Sequence, residues 1–564
     1  MTPAQFNISE SSIHQELLKL LPADAKVIVE FGCDSGTIAA DYKQINPHCN
    51  YIGISFNRDL AKSAPEIEQI LLGNFQQNMN DLNISPKTID CVVYGLNLTA
   101  IANPTEILKC HKTWLTNDGQ VLAIVPNLQY WHRIINLFKG EWENSEIIRH
   151  WFGLSSLKSC FATAGLQIYE IQTRGAKGEE FQQFLQLAEP LINALSIDRE
   201  KFATQTAAEY YIVRATNSPV RPRRLLIQTI VMDPKVCGTV RVLEPDRFSA
   251  TIPGVRTISA AQTADLNVGL SQEEKVFLWQ RTILYYPSDF HKLKSLLEKG
   301  YLIVAEIDDH PLRRPEYAEN NYLSYRGCHC VQTSTEPLAE FLHQYNPNVA
   351  VFPNQLARIT SQHEHIFSHN NYLSIFFGAV NREEDWQELI PIINQILSDD
   401  PNQIRVKVIH DHLFFESLNI ANKEFYPFCS YDKYLEILAS CNLALLPLKE
   451  NQINQMKSDL KFVECAGNGV TVIASPTVYQ NSIIDGETGL IYDSLEDFAA
   501  KLRLLISDRK IRQKLAINAY NWVKNNRLLC QHYRQRRDWY LQMRDQLPRL
   551  NQELRNRVPE MFAN

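Results

Sequence analysis

Residues 454–469 read Asn454-Gln455-Met456-Lys457-Ser458-Asp459-Leu460-Lys461-Phe462-Val463-Glu464-Cys465-Ala466-Gly467-Asn468-Gly469, and an apolar run follows at 470–474. Helical spacing sets Lys457, Lys461 and Glu464 on one face, at i, i+4 and i+7. Ser458 or Asp459 is placed to cap the start, and the glycines are placed to end the helix. Two lysines at a helix N-terminus suit a diphosphate. A carboxylate one turn further can accept hydrogen bonds from both hydroxyls of a ribose. The same residues also read as a surface helix with a Lys461–Glu464 ion pair.

The surroundings alternate between apolar strand-like runs and helical stretches, which implies parallel strands with crossover helices. One series opens at 225–229 and continues at 301–305 and 328–332; a polar, His-rich break spans 354–370; a second series runs through 373–377, 405–409, 443–446, 470–474 and 489–492. Beyond Asp508 the pattern is helical. At 376–386 a strand ends at Gly378, and Asn381-Arg382-Glu383-Glu384 has the form of a capping box with an adjacent cation. His410-Asp411-His412 closes the next strand, at the edge where open α/β sheets bind ligands; it reads equally as a base pocket or a polar strand end. Glu306-Ile307-Asp308-Asp309-His310 follows another buried strand, and acids at such an end suit an acceptor or sugar contact, with a solvent loop as the alternative.

The stretch 373–493 resembles the donor-binding region of glycosyltransferase family 4 and its relatives of the GT-B fold. In those proteins a helix carrying a Glu leads through a Gly turn to a strand, and then to a loop of the form standing here as Asp485-Gly486-Glu487-Thr488-Gly489. The resemblance implies that Glu464 holds the donor ribose. It matches Arg382 to the family's phosphate-binding cation; with the residues read above, the donor candidates are Lys461, Lys457, Ser458, Arg382, Gly378 and His410, and the catalytic candidates on the acceptor side are Asp308 and Asp309. The family's first Glu, eight positions before Glu464, falls on Met456. Retaining members need no dedicated base, because the leaving phosphate takes the acceptor proton while cations stabilise it. No Asp-x-Asp metal motif stands on a suitable loop, so no metal is expected.

A second constellation lies near the start. Val27-Ile28-Val29-Glu30-Phe31-Gly32-Cys33-Asp34-Ser35-Gly36 resembles the first motif of class I S-adenosylmethionine-dependent methyltransferases, over residues 20–216. Strand-like runs follow at 51–54, 89–94 and 121–125, and two later ones at 166–173 and 209–215 suit an antiparallel edge. Glu30, Gly32, Gly36 and Ser55 fall at cofactor-binding positions. Asp34 stands where the pattern has its middle Gly, Ser55 where the second strand should end in an acid, and Asn74 where an Asp serves the adenine. A side chain at 34 costs space, and missing acids cost hydrogen bonds, so weak S-adenosylmethionine affinity is expected.

The expected fold class is α/β, with three Rossmann-like doubly wound units. A methyltransferase-like domain spans 1–217 and a Pro/Arg linker 218–224. The GT-B halves span 225–366 (acceptor) and 367–530 (nucleotide-sugar donor), and helices at 531–564 cross back. Length, at 564 residues, agrees with several folding units. A net charge of −7 supplies no basic stripe for nucleic acid. The twelve cysteines are scattered, some inside strand-like runs, which suits a reducing, cytoplasmic setting. Cys328-His329-Cys330 lacks the second pair a zinc site needs. No signal peptide or spanning segment is visible. The expected function is transfer of a hexose from a nucleotide sugar to a glycan or lipid-linked acceptor in cell-surface polysaccharide assembly, with at most peripheral membrane contact. A bifunctional methyltransferase-glycosyltransferase and a non-catalytic glycan- or nucleotide-binding scaffold are the alternatives.

Overall fold

The computed structural model describes residues 10–33, 36–55, 67, 69–72, 84–141, 148–175, 177–232, 236–360, 372–380, 382–400 and 402–563. The chain divides into two compact units, one of residues 1–223 with 250–254, the other of 224–249 with 255–564.

In the first unit β1 (Val27–Phe31), β2 (Asn50–Ser55), β3 (Gln69–Leu72), β4 (Ile89–Gly95), β5 (Leu115–Pro126), β6 (Gln167–Arg174) and β7 (Tyr210–Thr216) form one sheet in the order β3-β2-β1-β4-β5-β7-β6. The first five strands are parallel, while β7 runs antiparallel to β5 and β6 antiparallel to β7. Apolar runs such as Ile28-Val29 are buried on both faces because crossover helices cover each side. The two faces pack separate cores, one around Phe31, Tyr94 and Trp114, the other around Tyr42, Tyr51 and Ile124.

The second unit holds two parallel sheets. In its first half β8 (Leu225–Val231), β9 (Val255–Ala260), β10 (Glu274–Gln280), β11 (Leu302–Glu306), β12 (Cys330–Thr333) and β13 (Val349–Val351) stand in the order β13-β12-β11-β10-β8-β9. In its second half β14 (Leu373–Gly378), β15 (Ile404–Ile409), β16 (Lys423–Tyr426), β17 (Leu443–Leu446), β18 (Thr471–Ala474) and β19 (Leu490–Ile491) stand in the order β16-β15-β14-β17-β18-β19. Each is a doubly wound sheet, so the chain has the three Rossmann-like units of its α/β class. The strands β9 and β16 carry charged, half-buried residues and β13 is only three residues long, while β10 holds an apolar run, Val276–Trp279, behind a charged start.

The helices Arg534–Asp545 and Leu547–Arg557 lie on the first half. Arg544 donates to the carbonyl of Gly300, Tyr540 donates to Gln332, and Leu554, Val558 and Met561 join the core of that half. Among the described residues no helix is long and apolar enough to cross a membrane.

Candidate functional site

The helix Leu460–Gly467 starts later than its sequence suggested. Lys457 therefore sits on the turn before it rather than on its face. Neither Ser458 nor Asp459 caps it: Ser458 accepts from Asn354 at 2.8 Å, and Asp459 is gripped by Arg527 at 2.5 and 2.9 Å. The far end follows the glycines. Gly467 presses so close to Leu356 that a Cβ would stand 2.2 Å from its Cδ1, and Gly469 takes the left-handed φ of 68° that turns the chain into β18.

Glu464 is buried in that helix, not paired on the surface with Lys461. One oxygen accepts from the Tyr434 hydroxyl at 2.8 Å; the other, Oε1, is buried with no hydrogen-bond partner, although Tyr431 stands nearby. Burial raises the Glu464 pKa, and Lys461 only partly offsets it. Lys461 donates to the carbonyl of Gly378, and burial, then Arg382, lowers its pKa.

These groups line a cavity of about 380 Å³. Glu464, Lys461, Lys457, Ser458, Arg382, Gly378, His410, Asp308 and Asp309 all stand in its wall. The sequence missed Arg281, Arg313, Phe428 and Tyr434, which stand there too. Five cationic side chains face three carboxylates. Asp308 is tied to Arg281 at 2.5 Å, whereas Asp309 meets Arg313 at 3.8 Å and Lys457 at 4.0 Å through the same oxygen. The Lys457 ammonium is pushed down to about 8, by burial first and then by Arg382. Arg382 is held by Asp385 at 3.1 Å. It is itself the residue before the helix Glu383–Trp386 and makes no side-chain cap; Asn381 lies outside the described residues.

Of the three residues closing β15, only His410 lines the cavity, at a φ of 69° and with its ring against Phe428. Asp411 caps the next helix and accepts from Trp386, and the exposed His412 faces Glu416. Met456, where the family has its first Glu, packs against the core of the first half, and its carbonyl accepts from Thr335. The 485–489 loop is a tight turn into β19, with Asp485 accepting from the Ile491 amide. Cys328 and Cys330 are buried thiols and His329 bonds Asn551. Among the described residues no group of three or more His, Cys, Asp or Glu is placed to hold a metal.

In the first unit, Gly32 and Gly36 take left-handed φ values of 76° and 70° around the turn after β1. The Glu30 carboxylate is buried and accepts from Tyr51 at 2.8 Å. A Cβ on Gly32 would lie 2.2 Å from Asn97 Nδ2, and one on Gly53 2.3 Å from Cys33 Sγ, so side chains already fill the space over both glycines. Ser55 is buried at the end of β2 and brings no carboxylate there. Asp34 and Asn74 lie outside the described residues.

Two family models match the chain. Residues 8–171 match that of a methyltransferase domain, and residues 391–541 that of glycosyl transferase-like proteins. The likeness is thus to a methyltransferase domain in the first unit and to glycosyl transferase-like proteins in the second, whose two Rossmann-like halves share the cavity described above. No curated protein matches the chain. Among solved structures, sucrose-phosphate synthase from Thermosynechococcus elongatus aligns at 12% identity and a TM-score of 0.40, covering 57% of this chain and 99% of that one. The pneumococcal O-GlcNAc transferase GtfA in complex with UDP and GlcNAc aligns at 12% and 0.38, covering 48% and 57%. An S-adenosylmethionine-dependent methyltransferase from Archaeoglobus fulgidus aligns at 13% and 0.28, covering 37% and 96%. The chain spans about half the length of the TarM and GtfA structures it matches, at 55% and 57%.

Proposed function

We propose that the second unit transfers a hexose from a nucleotide sugar to a glycan or lipid-linked acceptor in cell-surface polysaccharide assembly. One observation carries the donor half of this reading: Glu464 Oε1 is buried in the wall of a cationic cavity with no partner of its own. A buried carboxylate oxygen without a donor is costly, and ribose hydroxyls supply two donors. Arg382, Lys461 and Lys457 then face the diphosphate, and His410 and Phe428 flank the base.

Chemistry follows from where the acids are held. Asp308 is locked to Arg281 and Asp309 lies between two cations. Both serve better to orient acceptor hydroxyls than to remove protons. This favours a retaining transfer in which the leaving diphosphate takes the acceptor proton while Lys457, Lys461 and Arg382 stabilise its charge. The first unit takes no part in methyl transfer on this reading.

The test is calorimetry of UDP, GDP and ADP on the full chain, followed by donor hydrolysis without acceptor. Binding of one nucleotide with slow release of free sugar supports the proposal. No binding by any of the three overturns it, and binding without any turnover favours the non-catalytic scaffold.

A further inference from the structure

A chain of hydrogen bonds runs from the buried Arg241–Glu306 pair to the cavity wall, which it reaches at Asn354 and Ser458. Arg241 and Glu306 meet at 2.6 Å, with side-chain exposures of 1% and 0%. The second arm of Arg241 donates to Asn354 Oδ1 at 3.0 Å, and Asn354 Nδ2 donates to Ser458 Oγ at 2.8 Å. Glu306 ends β11, two residues before Asp308. Ser458 stands two residues before the helix that carries Glu464. One guanidinium thus joins the strand end bearing the acceptor-side acids to the turn that opens the donor-side helix.

The local backbone is built for this. Residues Thr239–Leu243 form a π-helical turn, with the Glu244 amide bonded to the carbonyl of Thr239. Such a bulge displaces its side chains from the regular helical path, and here Arg241 is buried within it. The carbonyl of Arg241 is held in turn by Arg536 at 2.6 Å. The planar fork of arginine reaches two acceptors at fixed angles, which a lysine cannot do.

We infer that Arg241 is a positioning residue for the cavity, setting Asp308 and Asp309 on one wall and the Glu464 helix on the other through Asn354 and Ser458. Its functional consequence rests on the donor-site reading, but the coupling itself does not. Arg241→Ala would leave the Glu306 charge alone in the interior, so the informative variants are Arg241→Lys, Ser458→Ala and the two combined.

The experiment is amide hydrogen exchange on the unliganded full chain, with the affinity of the tightest of UDP, GDP and ADP as a second readout. Arg241→Lys should raise exchange at residues 460–463 about tenfold, the loss of roughly one hydrogen bond. Ser458→Ala should do the same, and the double variant should go no further than either alone. Nucleotide affinity should fall with the same lack of additivity. Exchange at 460–463 that ignores Arg241→Lys, or effects that multiply in the double variant, would overturn the coupling. If the parent binds no nucleotide the donor reading fails, while the exchange result still decides the role of Arg241.

Discussion

Tyr434 donates to one oxygen of the Glu464 carboxylate at 2.8 Å and leaves the other buried and unmatched. The hydroxyl holds one oxygen of a carboxylate that lines the cavity. Tyr434→Phe removes a hydrogen bond to a buried carboxylate that also interacts with Lys461 and Tyr431, so stability should fall by about 1–3 kcal/mol. Nucleotide affinity should fall less than when Glu464 itself is changed. Urea unfolding and calorimetry on the same variant check both; an unchanged unfolding midpoint would mean the bond contributes nothing.

Lys457 makes nucleotide binding depend on pH. Its ammonium titrates at about 8, down from its ordinary 10.5, because it is buried beside Arg382. As pH rises through 8 the cation is lost, so diphosphate affinity should drop between pH 7 and 9. Binding near pH 8 should take up a proton, because a bound anion restores the charge. Lys457→Met should flatten this profile. The unliganded protein should show the opposite trend. The folded lysine gives up its proton before the unfolded one does, so this group's cost to stability is present below pH 8 and is relieved between 8 and 10.5. Calorimetry in buffers of different ionisation enthalpy measures the proton uptake, and none at pH 8 would remove Lys457 from the phosphate site.

S-adenosylmethionine should bind the full chain poorly. Glu30 is occupied by Tyr51, Asn97 and Cys33 fill the space over Gly32 and Gly53, and Ser55 offers no carboxylate. Low-micromolar affinity by calorimetry would contradict this and restore the bifunctional reading.

Much of the architecture was legible because parallel strands buried on both faces announce themselves as apolar runs, as at 28–29 and 302–305. The site residues were legible where a motif fixes their spacing, as with Lys461 and Glu464. What spacing cannot show is which side of a turn a side chain ends on. Lys457 reaches the cavity from a turn rather than from the helix face, and Asp459 turns away to Arg527. Arg281 was missed because it follows β10, whose charged start hid the strand, and because its φ of 50° sends the chain where no local pattern foretells. Arg241 was missed because a buried arginine is explained only by partners 65 and 113 residues away.

The most direct measurement is nucleotide affinity and unliganded stability on one variant, Glu464→Gln. The variant keeps the shape and the Tyr434 contact but removes the charge that ribose hydroxyls would meet. Charge-assisted hydrogen bonds are worth about 1.5–3 kcal/mol, so affinity should fall roughly ten- to a hundredfold. Stability should move the other way. Burial raises the Glu464 pKa, so the folded state loses stability as pH climbs from the ordinary 4.5 to that raised value, above which the cost is complete, and the amide escapes it. At neutral pH the unliganded variant should therefore unfold no more easily than the parent, with any gain vanishing below about pH 4.5, the ordinary glutamate range. A variant that binds every nucleotide as tightly as the parent would contradict the placement of the donor ribose on Glu464.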